Sequence, residues 1–156
     1  MNLSYDENNI IVYVNNINNN IDFTNTNSIR EYFKIIFLKL KNYYNIKLSG
    51  IYKVKVYKDF NIVIELFEEE SDYYDEIDME IELIENTFLY QIEDIFISKD
   101  IIKKSKILKY NNNLYLMIIN KLTNKELGYL YEISKLIYKN TENIIKYSRE
   151  LPLNLV

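Results

Sequence analysis

"GIYKVKVYKDFNIVIELF", residues 50–67, decides the fold class. Its first half alternates, with Tyr52, Val54 and Val56 on one side and Lys53 and Lys55 on the other. That period of two is the signature of a strand with one face covered. "KDFN" (58–61) supplies turn chemistry, and "IVIELF" (62–67) returns with Ile62, Ile64 and Leu66 on one side. The stretch therefore predicts an antiparallel β-hairpin with one buried face.

Working upstream, "NIIVYV" (9–14) is β-branched and aromatic and reads as a strand, and the Asn-rich run 15–27 reads as a loop. A helix follows. Ser28 with Glu31 three residues on forms a candidate capping box. Ile29, Phe33, Ile36, Phe37, Leu40 and Tyr44 then recur at helical spacing, with Arg30, Lys34, Lys41 and Asn42 opposite. Residues 1–67 thus predict β-α-β-β.

Downstream lies "FEEESDYYDEIDMEIE" (67–82), in which nine of sixteen side chains are carboxylates. Residues 68–76 have no periodicity and predict an exposed loop. Residues 77–84 alternate strictly, which predicts a strand with Met79 and Ile81 inward and Glu80 and Glu82 outward. "TFLYQI" (87–92) reads as a further strand, 93–106 as a short helix or broken turns, and "ILKY" with "LYLMII" as a hairpin closed by "NNN", since Asn tolerates positive φ. Thr123 with Glu126 forms a second capping box. It opens a helix whose inner face carries Leu127, Leu130, Tyr131, Ser134, Ile137 and Tyr138. Gly128 inside it points to close packing against a strand or to drift at a tolerant position. Thr141 is the expected cap of a last helix bearing Ile144, Ile145 and Tyr147, with Pro152 after its end.

The expected class is α+β: antiparallel hairpins with helices packed on one face, in the order β-α-β-β and then β-(α)-β-β-α-α. The expected organisation is an N-terminal β-α-β-β segment (residues 1–67), an acidic connector (68–76) and a C-terminal α+β segment (77–156), which together can form one compact domain. The predicted core contains Phe33, Ile36, Phe37, Val54, Val56, Ile64, Leu116, Leu130 and Ile137.

Composition narrows the chemistry. The 156 residues contain no His, Cys, Trp or Ala, two Gly and one Pro. Ile, Asn, Lys and Tyr are over-used, all with codons rich in A and T, which is the composition of an AT-rich bacterial genome. Without Cys there is no disulfide framework or thiolate metal site. Without His, nucleophilic catalysis lacks its usual base. No Gly-rich phosphate loop is present. The EF-hand pattern fails because 68–82 has no glycine. We therefore expect no enzyme, no metal and no cofactor. A polar start with no basic segment ahead of an apolar core predicts no signal peptide. No stretch of about 18 apolar residues is free of charge, so no membrane span is expected and the expected location is the cytoplasm.

The net charge of −4 is unevenly spread: residues 68–100 hold thirteen acidic side chains and one basic, while 101–156 hold ten basic and four acidic. Such polarity speaks of partners. Nucleic acid is not an expected partner, because the basic run "KKSKILKY" (103–110) comes without a recognition motif. The candidate partner-binding residues are Glu68, Glu69, Glu70, Asp72, Tyr73, Tyr74, Asp75 and Glu76. There carboxylates steer a basic protein surface and two tyrosines offer contact area. The bland alternative for this run is a solvated connector.

The order of elements carries a resemblance. "DENNIIVYV", "IKLSGIYKVKVYKDFNIVIELFEEE", "FLYQIEDIF" (88–96), "KYNNNLYLMI" (109–118) and "TNKELGYLYEISKLIYKNTENIIKYSRELP" (123–152) together resemble a shortened MecA-type adaptor. Those bacterial regulators deliver substrates to a Clp/Hsp100 unfoldase. Where that family's hairpin has a glycine this chain has Asn, and its long acidic linker corresponds to 68–76 alone. The resemblance implies a C-terminal segment that binds the unfoldase and an N-terminal segment that holds substrates. The expected function is thus a non-enzymatic protein-interaction module of the adaptor kind. The alternatives are a small acidic inhibitor or nucleic-acid mimic, and a carboxylate-based enzyme.

Overall fold

The structure, a computed structural model, describes residues 2–6, 9–14, 24–46, 50–70, 77–93 and 97–152. Ten strands and four helices follow one another among the described residues. They are β1 (Asn2–Asp6), β2 (Asn9–Val14), α1 (Thr26–Tyr44), β3 (Gly50–Lys58), β4 (Ile62–Glu70), β5 (Ile77–Glu85) and β6 (Leu89–Ile92). Then come α2 (Lys99–Lys103), β7 (Ser105–Tyr110), β8 (Asn113–Ile118), α3 (Asn124–Ile133), β9 (Ser134–Ile137), α4 (Glu142–Tyr147) and β10 (Arg149–Leu151). The class is α+β, with two five-stranded sheets. The chain divides into two compact units: 1–56 with 63–84, and 57–62 with 85–156.

The sheet of the first unit runs β1-β2-β4-β3-β5. β1 pairs antiparallel with β2; the polar start of the chain does not announce it. β4 lies between β2 and β3, and Ile62, Val63, Ile64, Glu65 and Leu66 are all buried. This corrects the expectation of a hairpin with one covered face. "IVIELF" is a nearly continuous apolar run, and such runs suit strands enclosed on both sides. β5 takes the edge beside β3, so the boundary drawn before residue 77 misplaces it: this strand completes the first sheet. At an edge, Met79 and Ile81 are only half-buried while Glu80 and Glu82 stand exposed.

α1 begins earlier than the sequence suggests. Asn25 is its N-cap, with its side chain accepting from Asn27 N at 3.0 Å. Ser28 and Glu31 lie inside the helix, and Glu31 pairs with Lys34 at 2.9 Å. Capping at Asn25 lets Ile29 N bond to Asn25 O and adds a turn. Ile29, Phe33, Ile36 and Leu40 form the buried stripe. Phe37 is only half-buried, stacked on Phe33 with centroids 6.0 Å apart, and Tyr44 is exposed. Both lie at the margin of the stripe, a few tens of degrees off its centre. Asn45, at φ 54°, ends the helix in the left-handed conformation.

The second sheet runs β10-β7-β8-β6-β9, and its neighbours pair antiparallel. Asn111 and Asn112, at φ 47° and 62°, close the β7–β8 hairpin as a two-residue turn that needs positive φ twice. One face carries Tyr90, Leu116 and Ile107, with the Tyr131 ring of α3 set 6.1 Å from that of Tyr90. The other carries Leu89, Leu108 and Tyr115, with Ile144 and Ile145 of α4 packed on them. Helices thus cover both faces of this sheet, where the sequence predicts one.

The capping box of α3 is present in full: Glu126 N donates to Thr123 Oγ1 and Thr123 N to Glu126 Oε2. The helix stops at Ile133, however, and Ser134–Ile137 is β9, paired with β6. Ser134 and Ile137 are therefore strand residues, Ile137 half-buried, in correction of the longer helix. The open edge of β6 takes up backbone groups that another helical turn would have satisfied internally. A Cβ at Gly128 meets nothing within 4 Å, so no close approach demands glycine. Thr141 is fully buried but makes no capping bond from its side chain. Its hydroxyl instead donates to Thr87 O at 2.8 Å.

Candidate functional site

The predicted acidic run divides on the structure. Glu68, Glu69 and Glu70 are the last residues of β4 rather than loop, because the strand ladder continues through them. Glu68 is half-buried. Asp72, Tyr73, Tyr74, Asp75 and Glu76 lie outside the described residues. The described remainder of the acidic segment is β5. Its Glu80 and Glu82 project on one face of an edge strand, about 6.7 Å apart along it. Both are exposed and neither forms an ion pair among the described residues. Between Glu82 and the strand's end, Leu83 is 43% exposed. By alternation Leu83 stands on the opposite face of the strand from the two carboxylates, so the acidic face offers long-range attraction to a basic surface.

The basic run has its own partner. Lys104 pairs with Glu126 of α3 at 2.9 Å. The backbone N–H of Thr123, and then Lys104, hold the Glu126 carboxyl below the usual carboxylate range. That pair fixes the start of α3.

A second constellation, invisible in the sequence, surrounds the turn 57–62. Asp59 accepts from Phe88 N at 2.8 Å, and Asn86 N donates to Lys58 O at 3.2 Å. The buried Asn61 accepts from Tyr90 Oη at 3.3 Å and donates to Tyr131 Oη. Asn86 donates to Tyr138 O at 2.6 Å. Burial pushes the Tyr90 phenol far above its ordinary range, with the Tyr131 hydroxyl adding to the shift. It stays a neutral hydrogen-bond donor, of no use as an acid or base near neutrality. Burial also raises the Asp59 carboxyl, against the backbone N–H groups of Phe88 and Phe60, which lower it. Asp59 borders an open depression of about 540 Å³ with Lys58, Glu85, Asn86, Thr87 and Glu142. Among the described residues no three carboxylates come close enough together to hold a metal ion. The chemistry of this constellation is to tie the turn down.

The sequence reading also passes over the outward side of α1. There Ile35 and Leu38 are 54% and 59% exposed, on the face it treats as polar. The available signal is simple: neither residue falls on the buried stripe. No helix among the described residues is long and apolar enough to cross a membrane. Comparison with known protein families, with curated proteins and with solved structures finds no match.

Proposed function

We propose that this chain is a non-enzymatic protein-interaction module that meets a basic surface of another protein. The observation that carries the reading is β5, an edge strand with Glu80 and Glu82 exposed on one face and in no ion pair among the described residues. The order of elements supports a finer form, a regulatory adaptor that presents substrates to a Clp-type unfoldase in the cytoplasm. Exposed charge sets encounter rate and salt dependence more than fold stability, so its removal tests function apart from folding.

The experiment immobilises the full chain and the E80Q/E82Q variant, exposes both to a bacterial extract, and titrates each with a purified Clp unfoldase. The expected result is a protein retained by the native chain and lost by the variant, with binding that weakens as salt rises. Retention indifferent to both salt and the two carboxylates overturns the reading. Displacement of the retained protein by DNA favours the nucleic-acid mimic instead.

A further inference from the structure

We propose that the open edge of β5 receives an extended basic segment of another protein, which joins the five-stranded first sheet as a further strand. That segment alternates lysine or arginine with apolar residues. The proposal rests on the reading of β5 as a partner surface and names what docks there and how.

The outermost strand of a sheet keeps one row of backbone N–H and C=O groups without a ladder, and folds blunt such edges with short strands, lysines or prolines. Among the described residues four strands stand at sheet edges. β1, β9 and β10 have five, four and three residues. β5 has nine, with no lysine, proline or glycine among them. β3 pairs with one side of it, and no strand pairs with the other among the described residues. It is the longest and least blunted template for strand addition that the two sheets offer.

The side chains select the strand that fits. Glu80 and Glu82 stand exposed on one face, while on the other Met79 and Ile81 are half-buried and Leu83 is exposed. Like charges directly opposite one another destabilise a strand pair, so a second copy of β5 is a poor occupant. A strand with cations on the first face and aliphatic side chains on the second answers both faces at once. The closed side of β5 already has such a neighbour. β3 reads "YKVKV" over 52–56, with Lys53 and Lys55 alternating with the buried Val54 and Val56. β3 lies between β4 and β5, so in a second copy that strand is already taken and the incoming one belongs to a partner. Main-chain hydrogen bonds then supply the affinity and alternate side chains the register, while the carboxylates speed encounter.

The test uses the full chain and labelled peptides of nine residues, the length of β5. One alternates Lys with Val. A second holds the same residues in two blocks. A third is the alternating peptide with every backbone nitrogen methylated, which keeps the charges and removes the N–H donors. Fluorescence anisotropy should show saturable binding of the first and much weaker binding of the other two. Amide hydrogen exchange should slow within 77–85 and stay unchanged in β1, at the opposite edge of the same sheet. E80Q/E82Q, with native circular dichroism, should bind the alternating peptide about tenfold more weakly, the scale that two exposed ion pairs allow. No binding of the alternating peptide, equal binding of the methylated one, or unchanged exchange within 77–85 overturns strand addition. Partner capture separates the two readings. If the native chain captures a protein that E80Q/E82Q loses, yet no alternating peptide docks, strand addition falls and the interaction module stands. If the peptide docks with exchange slowed while E80Q/E82Q keeps every captured protein, strand addition stands and the acidic face does not select the partner.

Discussion

The two units secure their interiors by different means. The first relies on apolar periodicity: the stripe of α1 and the enclosed strand β4 bury Phe33, Leu40, Ile64 and Leu66 almost completely. The second adds side-chain hydrogen bonds between residues far apart in sequence. Asn61 reaches Tyr131 seventy positions on, and Thr141 reaches back to Thr87 across fifty-four. Apolar contact is non-directional and forgiving of small shifts. A buried hydrogen bond is not, because losing one partner leaves the other desolvated and unpaired. The second unit should therefore be the more brittle of the two.

The largest expected effect breaks that comparison outright. A fragment of residues 85–156 lacks the turn 57–62, and with it the buried Tyr57 and Ile62 and the partners of Phe88 N and Tyr90. The combined loss is of the order of the whole stability of a domain, roughly 5–15 kcal/mol. The fragment should show no cooperative melting transition; a sharp one means the ties to the turn are dispensable. Next comes the first unit's core. Phe33→Ala should cost about 3–5 kcal/mol in denaturant unfolding, and Phe37→Ala, at the half-buried margin, distinctly less. Equal midpoints for the two variants mean that the margin of the stripe is drawn wrongly.

A smaller effect sharpens the contrast. Asn61→Leu leaves the Tyr90 hydroxyl buried without its acceptor and should cost about 1–3 kcal/mol. Adding Tyr90→Phe should recover most of that, since removing both partners of a buried bond is nearly neutral. If the double variant is as unstable as the single, the tie works by packing alone. The smallest effect has the opposite sign. Gly128→Ala fills open space within α3 and should stabilise by up to about 1 kcal/mol. A lowered melting temperature points to a tight approach that the geometry does not show.

What is legible in the sequence follows the same division. The buried stripe of α1, the alternation of β3 and the Asn–Asn turn are local patterns, and each appears at its predicted place. Two identical start signals have different outcomes. Thr123 with Glu126 opens α3, whereas Ser28 with Glu31 sits inside α1 because Asn25, three residues earlier, caps a longer helix. Between competing caps the longer helix prevails when no tertiary contact forbids the extra turn. β9 reads as helix because its residues keep the helical spacing of α3; only the open edge of β6 makes them a strand. The bonds of Asn61 and Thr141 leave no local trace, since an Asn or Thr in a turn looks the same whether it faces water or a phenol. The acidity of β5 is plain in the text, while exposure of Ile35 and Leu38 depends on which side of α1 the fold covers.

The bond between Asn61 and Tyr131 also sets a timetable for synthesis. A ribosome adding about 5–20 residues per second needs roughly 4–14 s to pass from one to the other. During that interval the turn has emerged with its amide and its apolar neighbours exposed, and nothing yet made can receive them. The nascent chain thus passes through a defined window, closed only when α3 leaves the exit tunnel, in which a holdase has something to grip and an early pause or truncation leaves the second unit without its lock.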